Sequence, residues 1–261
     1  MADKIWWVEQ GPGPLVATAI HDGHEVRPEV QQLMAISESG RLREEDPFTA
    51  DWTRVAPTQV VGTRSRFEVD LNRAREGAVY RTPEDAWGLQ VWKDSIPRAE
   101  VERSLQEYDA FYDNLGKLYR NLADRHGRFV VFDLHSYNHR RDGADGEAAD
   151  PALNPQVNVG TGTMADRDRW APVIDRFISE LGAFDYPGGR LDVRENVRFR
   201  GGNCGKWAHA TFPDSACVLS IEVKKFFMDE WTGELDSTRH AAIGQALAGT
   251  VDGVLEELAG L

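Results

Sequence analysis

Nine apolar residues between positions 99 and 126 (Val101, Leu105, Tyr108, Phe111, Tyr112, Leu115, Leu118, Tyr119 and Leu122) recur at spacings of mostly three and four, and the run RFVVFDL (128–134) follows almost at once. The first pattern is the apolar stripe of a long amphipathic helix, its other face carrying Glu, Arg, Asp and Lys. The second has the length and composition of a strand covered on both faces. Gly127 separates them, in the place where a glycine commonly ends a helix. A strand that is apolar on both sides needs a second layer opposite the helix, which restricts the chain to a layered α/β architecture.

The rest of the chain fits that reading. LVATAI (15–20) is another strand-length apolar run and stops at the polar cluster His21-Asp22-Gly23-His24-Glu25. Residues 59–63 and 67–71 read as a strand pair or one bent strand, punctuated by Arg64, Arg66 and Arg73. Asp46-Pro47 predicts a helix start, with Asp as the cap and proline at the first helical position. Residues 138–155, rich in Asp, Gly and Ala, read as a surface loop. Helical spacing returns over 167–181, and CVLSIEV (217–223) is a last strand before a final helix near 238–258. With no internal repeat and no dividing linker, residues 1–261 are expected to form a single domain, a three-layer α/β sandwich with a mixed, largely buried sheet.

Composition limits the partners. Lys and Arg total 30 against 43 Asp and Glu, a formal net charge of −13 that repels nucleic acid and anionic membranes on average. The two cysteines, Cys204 and Cys217, form no CxxC pair, which suits a reducing compartment and argues against a thiolate zinc site. Neither a signal-peptide-like run nor a membrane span stands out, so a cytoplasmic location is expected. Oligomeric state is not legible.

In open α/β sheets, ligands bind beyond the carboxyl ends of the strands. Three of the expected strands carry reactive groups there: His21, His135, and Glu222 between Ile221 and Val223. Two imidazoles from strand ends and a carboxylate near a helix start would supply the three ligands of a catalytic zinc, whose bound water has a pKa of about 7. A nearby glutamate can take the water's proton and pass it to a leaving amine. The plainer alternatives are a strand-end histidine bonded to a carbonyl, a glutamate paired with Lys224, and arginines on a solvated face. His139, His209 and Tyr137 stand as possible substrate contacts.

RSRFEVDLNR (64–73), VVFDLHSY (130–137) and LSIEV (219–223), in this order, resemble the N-formylglutamate amidohydrolase family. That family is itself similar to zinc carboxypeptidases and to the aspartoacylase and succinylglutamate desuccinylase group. The resemblance implies a zinc-carboxypeptidase-like (phosphorylase/hydrolase-like) fold, one divalent ion, Zn2+, and hydrolysis of the amide of a small anionic N-formyl or N-acyl amino acid. It implies that His135, in HSY, is a metal ligand and that Glu222, in IEV, is the catalytic glutamate. Asn72 and Arg73, in DLNR, would hold the substrate carboxylate with Arg66 or Arg64 assisting, and NVRFRGG (196–202) resembles a glycine-containing stretch of the family.

The sequence departs from the carboxypeptidase pattern three residues after His21, where His24 replaces the expected glutamate and Glu25 falls one later. REEDPFT (43–49) resembles an acidic cluster of the formylglutamate family. The metal site is therefore completed either by His24 through its HxxH spacing or by Asp46, with Glu45 as the neighbouring substitute. Two other activities use the same features: a carboxypeptidase-like peptidase, and a non-catalytic protein that binds an acidic metabolite.

Overall fold

Alternate side chains of a strand point to opposite faces of its sheet, and in this chain each face meets its own core. The computed structural model describes residues 4–261. Seven strands make one sheet: β1 (Trp6–Glu9), β2 (Leu15–Ala19), β3 (Thr58–Gly62), β4 (Phe129–Tyr137), β5 (Val157–Gly160), β8 (Val193–Glu195) and β9 (Ala216–Lys224). Their order is β1-β3-β2-β4-β9-β5-β8, and β6 (Asp185–Tyr186) pairs with β7 (Gly189–Arg190) in a separate hairpin. Strands β3, β2, β4 and β9 run parallel, whereas β1 and β5 lie antiparallel to β3 and β9, so the sheet is mixed.

The helices are α1 (Pro28–Leu33), α2 (Glu38–Glu44), α3 (Thr49–Trp52), α4 (Arg98–His126), α5 (Ala171–Ala183), α6 (Asn203–Thr211), α7 (Ser237–Gly249) and α8 (Val251–Gly260). On one face of the sheet Leu15, Ala17, Val130, Phe132, Leu219 and Ile221 pack with Phe177 of α5, Ile243 of α7 and Val254 of α8. On the other, Val16, Phe129, Val131 and Val218 pack with Phe111, Leu115 and Tyr119 of α4 and Ala208 of α6. Helices thus flank both faces of a large mixed sheet. On the α4 side each central strand changes character along its length. The alternating positions read Val16 then Thr18 on β2, Phe129 and Val131 then Asp133 and His135 on β4, and Ala216 and Val218 then Ser220 and Glu222 on β9. The amino-terminal half of this face builds the core and the carboxyl-terminal half carries polar groups.

Several local expectations are corrected. Residues 67–71 form turns instead of a strand: Glu68 and Val69 both donate their N–H to the Ser65 carbonyl, and Asp70 donates to Ala78. Their alternation serves packing, since Phe67, Val69 and Leu71 are all buried. Asp46-Pro47 does not open a helix. Phe48 adopts a left-handed conformation (φ 70°), α3 starts at Thr49, and the Asp46 side chain is left free of capping. The final helix is two helices, parted at Thr250, whose hydroxyl donates to the Leu247 carbonyl. The segment before LVATAI contains the edge strand β1, and α1, α2, β5 and β8 are further elements that the sequence pattern does not place. Among the described residues no helix is long and apolar enough to cross a membrane.

Candidate active site

Cross-strand register lines the polar half of the sheet into rows. Thr18, Asp133 and Ser220 are direct neighbours across β2, β4 and β9. Two residues further on, His135 stands beside Glu222, with Asn158 of β5 on the other side of Glu222. His21 leaves β2 at the same end, just past Ile20. The chain then returns through α2 to Asp46, whose N–H donates to the His21 carbonyl at 3.0 Å and so holds the two residues side by side.

These elements bring His21, Asp46 and His135 together. Each is 2% exposed, and one ligand-type atom from each lies within 4.8 Å of the others. Nδ1 of His135 is 3.0 Å from Asp46 Oδ2, Nδ1 of His21 is 3.5 Å from the same oxygen, and the two rings are 5.0 Å apart. Burial alone would push the Asp46 carboxyl up; hydrogen bonds and charge from His135 and His21 outweigh it and hold the group well below the usual carboxylate range. Two imidazole nitrogens and an ionised carboxylate are a donor set that fits a divalent ion such as zinc.

The far nitrogen of each ring meets another buried carboxylate. Nε2 of His21 is 2.7 Å from Asp70 Oδ1, and Nε2 of His135 is 3.2 Å from Asp133 Oδ2. Asp70 also accepts from the Asn72 N–H, from Arg66 at 2.9 Å and from the Tyr80 hydroxyl. Its carboxyl is depressed despite burial, chiefly by the Arg66 charge and His21. His24 does not join the cluster. Its Nδ1 bonds to Glu45, which also accepts from the Ser65 hydroxyl, so this acid and this histidine are engaged with each other. Glu25 lies outside the cluster, exposed, with its backbone bridged to that of Arg64.

A cavity of about 760 Å³ opens over the cluster and takes in His21, Asp46, His135, Glu222, Arg66 and Asn72 in its walls. The Glu222 carboxylate accepts no hydrogen bond from the described protein groups. Loss of surrounding water pushes its carboxyl up to about 7, opposed by the charge of His135 and assisted by that of Asp46. The Asn72 side chain accepts from the Cys204 N–H at the start of α6. Gly202 permits that approach, because a Cβ there would collide with Asn72. Arg73 lies apart from the cavity wall, donating to the Asp85 carbonyl and stacking on Tyr80 and Trp87. Arg64 faces the buried Glu68 and Glu107.

Other residues of this region escaped the sequence reading. Arg198 and Arg200 line the cavity and form no salt bridge among the described residues; the signal was their alternation in NVRFRGG, opposite an acid-rich composition. Asp133 was legible as a charge two residues before His135, on the same strand face. Lys225, the second residue after LSIEV's Val223, is buried and donates Nζ to the carbonyls of Arg43 and Glu45, fastening the segment that carries Asp46. Tyr137 lines the cavity, whereas His139 borders a neighbouring one and donates its backbone N–H to Glu230. His209 is turned into the core, where its Nε2 accepts the Val218 N–H.

Fold and site together define a mixed α/β protein with an imidazole–carboxylate cluster at the carboxyl ends of parallel strands. Residues 13–227 match the family model described as N-formylglutamate amidohydrolase, a span that includes every residue of the cluster. The chain belongs to the N-formylglutamate amidohydrolase family. Among solved structures it is similar to N-formylglutamate amidohydrolase from Ralstonia eutropha JMP134, at 16% identity over 99% of this chain and 100% of that one, with a TM-score of 0.75. It is also similar to the gene product Atu2144 from Agrobacterium tumefaciens, at 17% identity over 96% of this chain and 94% of that one, with a TM-score of 0.66. At these identities the likeness is one of fold. No curated protein sequence matches the chain.

Proposed function

We propose that this chain is a metal-dependent amidohydrolase of zinc-carboxypeptidase type that removes a formyl or other small acyl group from an acidic amino acid. The observation that carries this reading is the convergence of His21, Asp46 and His135, 2% exposed each, at the floor of a cavity that Glu222 shares. Membership of the N-formylglutamate amidohydrolase family supports the reaction class and a small anionic substrate.

His21, Asp46 and His135 would hold the ion, and their mixed nitrogen and oxygen donors suit zinc. A divalent ion bound there supplies Lewis-acid polarisation of the acyl carbonyl and makes a nearby water more acidic. Glu222, beside His135 in the sheet and with no protein hydrogen-bond partner, takes the proton of the attacking water on its carboxylate and returns it to the departing amide nitrogen. Arg66 is held by Asp70 with its guanidinium toward the cavity, and with Asn72 it positions the substrate. Arg198 and Arg200, without acidic partners of their own, attract its carboxylates. Arg73 supports this wall by stacking beneath Trp87.

Replacing Glu222 with Gln tests the assignment. Metal content should be unchanged, while kcat for formylglutamate falls by roughly 10²–10⁴-fold. A screen over formyl, acetyl and succinyl derivatives of glutamate and aspartate would define the acyl group. Near-full activity of E222Q would remove this residue from the mechanism, and wild-type protein that hydrolyses none of these substrates with added zinc would remove the activity.

A further inference from the structure

The geometry points to Asp133 as the positioning residue that fixes which nitrogen of His135 faces the metal site; this rests on the metal reading above and adds to it a carboxylate that touches neither substrate nor ion. Asp133 is fully buried in the middle of β4, where the preceding residues on the same face, Phe129 and Val131, belong to the core. An ionised carboxylate in such a place is costly unless its oxygens are satisfied. The sheet register satisfies them. Thr18, its direct neighbour on β2, donates its hydroxyl to Oδ1 at 2.7 Å, and Ser220, its neighbour on β9, places a hydroxyl 3.5 Å from Oδ2. Oδ2 then faces His135 Nε2 at 3.2 Å.

Nε2 has two polar neighbours, Asp133 Oδ2 at 3.2 Å and the Asn72 side-chain amide at 3.5 Å, and because an ionised carboxylate only accepts, the nearer contact is satisfied when Nε2 carries the hydrogen. In the neutral imidazole that leaves the lone pair on Nδ1, the atom 3.0 Å from Asp46 Oδ2. Asp133 and His135 are two residues apart on one strand, so the pleat brings both to the same face at a fixed spacing. The ring is thereby aimed and its tautomer chosen by groups that belong to three hydrogen-bonded strands. A polar row of no other use would be replaceable by the valines and alanines that fill the same face one step below. Carboxylates in this relation to a ligating histidine raise its basicity, and their loss typically weakens metal binding by about 10- to 100-fold.

Asp133→Asn keeps the shape and can still accept from Thr18, but it can present an amide N–H to Nε2, which would put the ring hydrogen on Nδ1 and block the ligating atom. Zinc would be titrated into wild type and D133N in competition with a chromophoric chelator, and the zinc-loaded wild type examined by NMR of its imidazole nitrogens. We expect D133N to bind about 10- to 100-fold more weakly and His135 of the loaded wild type to carry its hydrogen on Nε2. Equal affinity in a folded D133N, or a hydrogen on Nδ1 in the loaded wild type, overturns the inference while leaving the metal site standing. If D133N does not fold, the nitrogen spectrum of the wild type decides alone. A wild type that takes up no zinc overturns the metal reading itself.

Discussion

At the scale of single residues, the site separates arginines by whether a protein carboxylate already claims them. Arg66 is bound to Asp70, Arg64 faces Glu68 and Glu107, and Arg73 donates to a carbonyl and lies 3.8 Å from Asp70, while Arg198 and Arg200 reach the cavity wall without a carboxylate partner. A charged hydrogen bond contributes about 1.5–3 kcal/mol. Replacing Arg200 with Met should therefore lower kcat/KM for formylglutamate by roughly 10- to 100-fold, mostly through KM, with little change for an analogue lacking the side-chain carboxylate. Steady-state kinetics on the two substrates would check this, and equal losses on both would place Arg200 away from the side-chain carboxylate. His21 and His135 were legible as partners because each follows or ends an apolar run that could only be a strand. The choice between Asp46 and His24 was not. It depends on the left-handed turn at Phe48, which frees Asp46, and on Glu45, which captures His24. Both are outcomes of how the segment folds against its neighbours, beyond the reach of spacing.

At the scale of elements, α6 is tied to β9 by a histidine that has left its usual ionisation range. Val218 N–H donates to His209 Nε2 at 3.1 Å, so in the neutral ring Nδ1 carries the hydrogen and donates to the Thr163 hydroxyl at 3.0 Å. Burial pushes its pKa down to about 4. The unfolded chain binds a proton at about pH 6.5, so the folded state gains nothing from this group's protonation until near pH 4. Its contribution is fully present above pH 6.5 and is lost as pH falls towards 4, a decline of about 3 kcal/mol. In urea unfolding across that range, His209→Gln should show a shallower acid slope than wild type, and parallel slopes would refute the assignment. The elements themselves were unequally legible. Helix α4 and strand β4 show in local periodicity, which their own residues determine. Strands β1, β5 and β8 are three or four residues long and gain their identity only from the strands they pair with. Residues 67–71 alternate like a strand, yet their backbone groups are satisfied within tight turns that deliver Asp70 to His21.

At the scale of the whole molecule, three segments far apart in the chain meet at the cluster: the end of β2, the stretch between α2 and α3, and β4. A metal held by all three would link them in the folded state and not in the unfolded one. At a free zinc concentration 100 times the dissociation constant, that linkage stabilises by about 2.7 kcal/mol, or roughly 5–10 °C in a chain of this size. Chelation followed by calorimetry should show this drop in the wild type, and His135→Ala should show none; equal transitions with and without chelator in the wild type would remove the metal from the folded state. The two rows of polar groups that cross the central strands have a wider consequence. Their spacing is set by the pitch of the sheet, whereas Trp87, Arg141, Arg198 and Arg200 at the mouth belong to connecting segments. Loops of this kind can lengthen, shorten or change their charge without moving a strand. A lineage could exchange its whole rim, and with it the molecules it admits, while the bond-breaking machinery underneath stayed where the sheet had put it.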